Sequence, residues 1–564
     1  MLTGRVVVRV AFFALAAWVY LYRLDAPPLL SDPAVGGGEA KYAEVAREMV
    51  ESGDWLTPQL NGAPFLNKPP LDYWLIALSY SCFGVNEFAA RLAGACTALV
   101  LLWLATRLAA DLWDDPLADL WAGAVLLGTG TVLLEARMVG VDMLLSAAIV
   151  GSWQAATRLA AAPVRAGPLC ALQVALAAGM LAKGVLGIVF PGAAIGAAVI
   201  VSGRWDVTRR LLDWRAWWLF VLLATPWFAL TALQHPGFAW DYFINQHVMA
   251  FVGGQTPRYS GGISLAAFWM AFAARCLPWT PFLPLAVIIV WREADGPRGR
   301  WAAGLLLGAA GFVPLFFSAT AARLDHYSMP AIAACALLVA RVFMRADRLP
   351  PWLFLAHALP LAVAALALPW ALPGLIALVL PGFPVAGLMS LARTAGILLA
   401  VAAVASAVLA IARHTAGPSF VPLPIALCMC ALTPLMQRGL TLLAPAYSSA
   451  GAAAVINATA GPTDTLIYEA PAEYQSGAGL FFYTRRRWLL VEPSDFAPHA
   501  YFTPYVSEMF VSRSELDTLW RNARVFFVSN PWVVGRTSLR GVVPDPVYIV
   551  ARNGHQWIVS NQRP

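Results

Sequence analysis

The stretch Phe88–Ala110, FAARLAGACTALVLLWLATRLAA, decides the fold class. As a helix rising 1.5 Å per residue it is long enough to cross the roughly 30 Å hydrocarbon layer of a bilayer. A lone strand there would leave its backbone polar groups unpaired in lipid, so the segment must be helical. Comparable runs recur from Val6 to about Leu435, and the length criterion gives about thirteen spans. The whole chain has 564 residues, 60% hydrophobic and only 12% charged, which excludes a soluble globular protein.

Charge placement sets an expected topology. The net charge of +7 says little about partners in a chain that mostly sits in lipid. Basic residues cluster at Arg5 and Arg9, Arg204 to Arg215, Arg292 to Arg300 and Arg341 to Arg348, and these are assigned to the cytoplasm. An odd number of spans then puts the C-terminus in the periplasm. The N-terminal apolar run lacks a polar mature start and is taken as an uncleaved first helix. All seven cysteines lie in or beside apolar runs, so no disulfide framework is indicated, and Cys428 and Cys430 read as small core residues.

From about Pro445 the apolar runs shorten to strand length. Residues 1–440 are therefore assigned to a transmembrane domain with outer loops at 23–87 and 234–262, and 441–564 to a soluble periplasmic α/β domain. Thr465 to Tyr468, Leu480 to Tyr483, Trp488 to Val491, Arg524 to Val528 and Val547 to Ala551 are expected strands, and Ser514 to Asn522 an expected helix. Asn553-Gly554 before Gln556–Ser560 is a hairpin signal.

The same topology leaves four polar stretches outside: Asp25 to about Pro70, Glu135 to Asp142, Gln234 to Ser264, and Thr320 to Tyr327. Loops on a rigid helical scaffold commonly carry chemistry. Glu39 to Ser52 has the pattern of an amphipathic helix on the membrane surface. Leu71 to Phe83 is apolar but short, follows Pro69-Pro70, and is expected to be re-entrant or interfacial.

Several motifs fall in these stretches. The first loop reads Gly36-Gly37-Gly38-Glu39-Ala40-Lys41-Tyr42-Ala43-Glu44-Val45-Ala46-Arg47-Glu48-Met49, then Ser52-Gly53-Asp54-Trp55, then Lys68-Pro69-Pro70-Leu71-Asp72-Tyr73-Trp74. Further on come Arg137 with Asp142-Met143-Leu144-Leu145, Lys183-Gly184, and Arg323-x-x-His326-Tyr327-x-x-Pro330. Together they resemble the bacterial lipid A aminoarabinose transferase branch of the protein O-mannosyltransferase superfamily, whose members have the GT-C fold. The likeness covers most of the membrane part. One position departs: where the family has Asp-Glu this chain has Gly38-Glu39, so Glu39 substitutes, Asp32 reaches in, or activity is altered.

The resemblance implies a glycosyltransferase that moves 4-amino-4-deoxy-L-arabinose from undecaprenyl phosphate to lipid A phosphate at the periplasmic face of the bacterial inner membrane. Its outcome would be resistance to polymyxin and other cationic peptides. Partners would be the lipid-linked donor, lipid A and membrane lipids, with no nucleic acid. Site residues follow by position: Glu39 and Asp142 as the catalytic carboxylates, and Lys41, Tyr42, Lys68, Arg137, Lys183, Arg258, Arg323 and Tyr327 for carrier phosphate and substrate.

Physical chemistry gives these residue types a reason of their own. A polyprenyl phosphate brings an anion to the outer surface, where Lys and Arg make charge-assisted hydrogen bonds. Lys183 ends a long apolar run, where an ionisable group needs a partner, although snorkelling to the interface is the alternative. The same cations would stabilise the leaving phosphate. The carboxylates could act as base, bind a metal or hold a cationic sugar; a hydroxyl acceptor needs proton removal, whereas a phosphate is already anionic. Asp142 could instead simply pair with Arg137. His247 and His326 could bind a divalent ion such as Zn or Mg, or serve as ordinary hydrogen-bonded histidines; no cofactor is otherwise indicated. Tyr42 and Tyr327 shape the pocket or belong to an interfacial belt.

Three competing readings remain at this level: a related transferase with another sugar or a protein hydroxyl acceptor, a lipid transporter or flippase, and an inactive scaffold. A transporter is disfavoured because no internal repeat is present and the polar residues gather on one side.

Overall fold

The structure is a computed structural model that describes residues 2–31, 38–161, 166–211, 217–256, 262–320, 323–379, 384–412, 420–469, 474–491, 501–530, 539, 542–553 and 556–563. The chain divides into two compact units. One comprises Met1–Tyr22, Gly94–Pro226 and Gly262–Gly439; the other comprises Arg23–Ala93, Trp227–Gly261 and Leu440–Pro564.

Among the described residues, seven helices are long and apolar enough to cross a membrane: Glu87–Leu112, Ala166–Lys183, Gly296–Ala319, Asp325–Met344, Pro351–Ile376, Ala386–Ile411 and Leu423–Tyr447. Leu265–Arg275 and Thr280–Arg292, bent by 100° at their junction, make an eighth if counted as one span. The expected thirteen also counted shorter apolar helices such as Leu186–Ser202 and Trp218–Gln234.

Within the first unit the interior follows membrane rules. Without water to expel, helices associate through close packing, which favours small residues at the contact. Gly304 and Gly308 show this. A Cβ on Gly304 would stand 2.7 Å from the Ala197 carbonyl oxygen, so Gly296–Ala319 can approach Leu186–Ser202 only because these side chains are absent. The helix Pro351–Val379 instead carries Leu359 and Trp370 outward, 68% and 77% exposed. Such an apolar face is stable only if lipid covers it.

The second unit pairs a small helical group with a sheet. Glu39–Ser52 is helical as expected, yet Glu39, Glu44 and Arg47 are all buried. It is therefore not a surface helix. It packs on the helices Leu71–Phe83 and Ala478–Thr484, and its buried charges pair internally: Glu44 accepts from Arg47 Nε and Nη2 at 2.6 Å each. A two-stranded hairpin, β1 (Gln59–Leu60) and β2 (Ala63–Pro64), turns at Asn61-Gly62, both with positive φ, which this tight turn requires.

The sheet has six strands: β3 (Thr465–Glu469), β4 (Leu489–Val491), β5 (Phe510–Val511), β6 (Val525–Ser529), β7 (Tyr548–Asn553) and β8 (Gln556–Ser560), in the order β5-β4-β3-β6-β8-β7. β5, β4, β3 and β6 are mutually parallel, and β8 and β7 continue antiparallel. Ile467, Val525, Phe527 and Val559 pack with Leu516 and Trp520 of the helix Arg513–Asn522. That helix starts on a capping box, Ser512 with Glu515.

One expectation is corrected here. Leu480 to Tyr483 is not a strand but lies within the helix Ala478–Thr484. Parallel β3 and β4 cannot be joined by a hairpin; their connection must cross over, and a helix is the usual crossover. Gly554 of the hairpin signal lies outside the described residues, while β7 and β8 on either side pair as expected.

Candidate functional site

In the first unit the helix Val141–Ala161 carries Asp142 in its first turn, and Ala166–Lys183 carries Lys183 in its last. Helix packing brings these residues, 41 apart in sequence, into an ion pair between Lys183 Nζ and Asp142 Oδ1. Both side chains are nearly buried, 10% and 14% exposed. Lys183 Nζ also lies 5.2 Å from the centre of the Tyr327 ring, a cation–π contact. Three segments thus converge on one ammonium group.

A second charged group in the same unit centres on a residue that the sequence reading did not single out. Arg275 donates through Nη1 to Glu135 Oε1 at 3.1 Å and Thr131 Oγ1 at 3.0 Å, and through Nη2 to Asp325 Oδ2 at 2.8 Å. Asp325 Oδ1 lies 3.4 Å from His326 Nδ1. The available signal was an arginine inside an apolar run, which demands a partner.

Two arginines expected at phosphate hold backbone carbonyls in this structure. Arg137 does not pair with Asp142: its Nη1 donates to the Val19 carbonyl at 2.6 Å, its Nη2 to the Tyr22 carbonyl and to Gln437 Oε1. Arg323 donates through Nη2 to the Thr320 carbonyl at 2.6 Å and through Nε to the Phe317 carbonyl at 3.3 Å, at the C-terminal end of the helix Gly296–Ala319. Both guanidiniums fasten backbone. Arg258 and Asp32 lie outside the described residues.

In the second unit Glu39 is 1% exposed and fully engaged. Its Oε1 accepts from Arg91 Nε and its Oε2 from Arg91 Nη2, both at 2.7 Å, and Oε2 also accepts from the Leu30 amide at 3.0 Å. Gly38, at the position where an aspartate was expected, has φ +113°, and a Cβ there would meet the Leu30 carbonyl oxygen at 2.6 Å. The backbone itself excludes a side chain at that point.

Lys41 Nζ donates to Gln475 Oε1 at 3.2 Å and lies 5.3 Å from the Tyr42 ring centre, while Tyr42 stacks on Tyr73 at 5.9 Å. The Tyr73 hydroxyl is buried with no hydrogen-bond partner among the described residues. His247 Nδ1 bonds the Tyr242 carbonyl at 2.6 Å; burial holds its pKa below the ordinary value, and the charge of Lys68 adds to that. Among the described residues no group of three or more His, Cys, Asp or Glu side chains could hold a metal ion, so the geometry lends the divalent-ion expectation for His247 and His326 no donor set.

The apolar helices and their arrangement define the class, a multi-pass membrane protein with the GT-C fold. Residues 10–243 match the dolichyl-phosphate-mannose-protein mannosyltransferase family. More particularly, its fold resembles that of ArnT. The crystal structure of ArnT from Cupriavidus metallidurans bound to undecaprenyl phosphate superposes with a TM-score of 0.80 at 24% identity, over 100% of this chain and 99% of that one. Its apo form gives 0.81 at 23% identity, over 99% and 98%. An undecaprenyl phosphate-alpha-4-amino-4-deoxy-L-arabinose arabinosyl transferase of Enterobacter sp. (strain 638) is 31% identical, over 54% of this chain and 54% of its own length. Transferase 1 of Pseudomonas fluorescens (strain Pf0-1) is 26% identical over 58% and 57%, and transferase 2 of Sodalis glossinidius (strain morsitans) is 33% identical over 54% and 54%. The matches thus span little more than half the length of these relatives.

Proposed function

We propose that this protein is a polyprenyl-phosphate-dependent glycosyltransferase of the bacterial inner membrane. It moves 4-amino-4-deoxy-L-arabinose from undecaprenyl phosphate to a phosphate of lipid A on the periplasmic side, and so confers resistance to polymyxin and cationic peptides. The observation that carries this reading is Lys183, a nearly buried ammonium held by Asp142 and Tyr327. Such a fixed cation suits the phosphate of a lipid carrier and stabilises the charge that grows on it as the glycosidic bond breaks. Asp142 orients Lys183 and offers an anion to the amino group of the sugar.

The state of Glu39 supports a phosphate acceptor. A protein hydroxyl would need a general base, but the Glu39 carboxylate is already committed to Arg91 and the Leu30 amide. A lipid A phosphate is anionic beforehand and attacks without proton removal. Glu39 is then a positioning residue.

One observation favours a second reading, transfer of a different sugar: Gly38 leaves no room for the aspartate that family members carry there. Mass spectrometry of lipid A from cells lacking and then regaining the protein separates the possibilities. A single aminopentosyl addition restored with the protein is expected; an unchanged lipid A profile overturns the proposal, and an addition of different mass selects the second reading.

A further inference from the structure

The strand order of the sheet contains a reversal. From β3 the chain steps outward to β4 and β5, then returns to lay β6 on the other side of β3. β3 and β6 are parallel, and their carboxyl ends are Glu469 and Ser529. In open α/β sheets, ligands bind just beyond the carboxyl ends of the strands at the place where strand order reverses.

A crevice lies beside this place. Its walls include Ser448, Ser449, Ser476, Gln556 and Asn530, the residue that follows β6. It spans about 290 Å³ including its open mouth, yet the room inside fits a group about the size of one water. Asn530 is 1% exposed and Gln556 8%, and both amide atoms of Asn530 and Oε1 of Gln556 have no hydrogen-bond partner among the described residues. The Asn530 side chain also lies near the Tyr468 hydroxyl. The opposite end of Gln556 is fixed, because Nε2 donates to Ser449 Oγ at 2.9 Å. Buried polar atoms left open in this way call for a partner that the described residues do not supply.

The lining decides the chemistry of that partner. None of the described lining residues is charged, so among them a phosphate or an amine would find no counter-ion. The nearby Glu469 carboxylate already accepts from Ser529 Oγ at 2.5 Å. Unpaired donors and acceptors stand together, and a hydroxyl satisfies both at once. The segment Tyr474–Gly477, which supplies Ser476, also supplies Tyr474, whose ring meets Phe65, Phe502 and Phe510 at 6.2, 5.2 and 6.5 Å.

We propose that the β3–β6 crevice is a glycan-reading site in which one sugar hydroxyl enters between Asn530 and Gln556, in place of a water that pairs with them in the free protein. The proposal stands apart from the transfer reaction above. It gives the sheet a binding role that no residue of the first unit shares.

A photoreactive diazirine glucoside, applied to the full chain in lipid nanodiscs and mapped by mass spectrometry, tests it. Labelling is expected on the peptides that carry Ser448, Ser449 and Gln556, competed by methyl glucoside. Asn530→Leu should lower it at least about tenfold, the scale of one lost hydrogen bond to a buried group, while the melting temperature holds or rises. If Asn530→Leu does not fold, Gln556→Met carries the same expectation. Labelling elsewhere, labelling that neither variant changes, or a crystal structure showing only an ordered water at saturating methyl glucoside overturns the proposal.

Discussion

Glu39 and Arg91 meet through two hydrogen bonds of 2.7 Å each, with both side chains at most 2% exposed. Arg91 spends its remaining donors on the carbonyls of Leu24 at 2.9 Å, Pro27 at 2.6 Å and Pro28 at 3.3 Å. One guanidinium therefore ties the entry of the first loop to the start of the Glu39–Ser52 helix. Removing one partner of a buried pair leaves the other charged and unpaired, which typically costs about 3–5 kcal/mol. Arg91→Ala and Glu39→Gln are expected to lower the melting temperature and transfer activity together. Arg91→Lys recovers little, because an ammonium cannot bond both oxygens in the same plane. A Glu39→Gln protein that melts normally but has lost turnover would return Glu39 to a role as base.

The Lys183–Asp142 pair makes a separable prediction. Lys183→Met should reduce kcat/KM on the order of 100-fold, the scale of removing one preorganised charge stabiliser. Lys183→Arg should retain part of it. Because Asp142 acts partly by orienting Lys183, Asp142→Asn added to Lys183→Met should cost less than Asp142→Asn alone, the remainder being its contact with the sugar amine, a non-additivity that a double-mutant cycle measures.

Gly38 gives a prediction opposite to what the family pattern suggests. Gly38→Asp, which restores the usual residue, must place a Cβ 2.6 Å from the Leu30 carbonyl oxygen and 2.7 Å from Ser31 Cα at φ +113°. Strain of this kind costs about 1–3 kcal/mol. Thermal melting of the purified variant should shift downward, and activity should fall rather than rise.

His247 sets a pH dependence. Burial, with Lys68 adding to it, lowers its folded pKa below the ordinary 6.5. Below pH 6.5 the unfolded chain takes up a proton that the folded chain refuses, so stability present above 6.5 is lost as pH falls from there toward the folded pKa. Melting temperatures recorded from about pH 8 down to about pH 5 should decline for the wild type across the histidine range and decline less for His247→Gln. Equal slopes for the two proteins would remove His247 as the source.

The sequence by itself determined the class of molecule. Long apolar runs admit only helices in lipid, and the loss of that pattern after Pro445 announced strands, because hydrophobic period and run length are local properties. It also pointed to Lys183 and Asp142, since an ionisable group at the end of an apolar helix needs an answer. What sequence could not supply was the answering residue. Asp142 pairs with Lys183 rather than with Arg137, Arg137 and Arg323 fasten carbonyls, and Glu39 is held by Arg91, which lies 52 residues away. The Glu39–Ser52 helix keeps its amphipathic period but buries its charges, and Leu480–Tyr483 becomes helical because β3 and β4 run parallel. Each of these outcomes depends on contacts between distant segments, and low-dielectric burial makes the choice of partner, rather than the residue type, decide what a charge does.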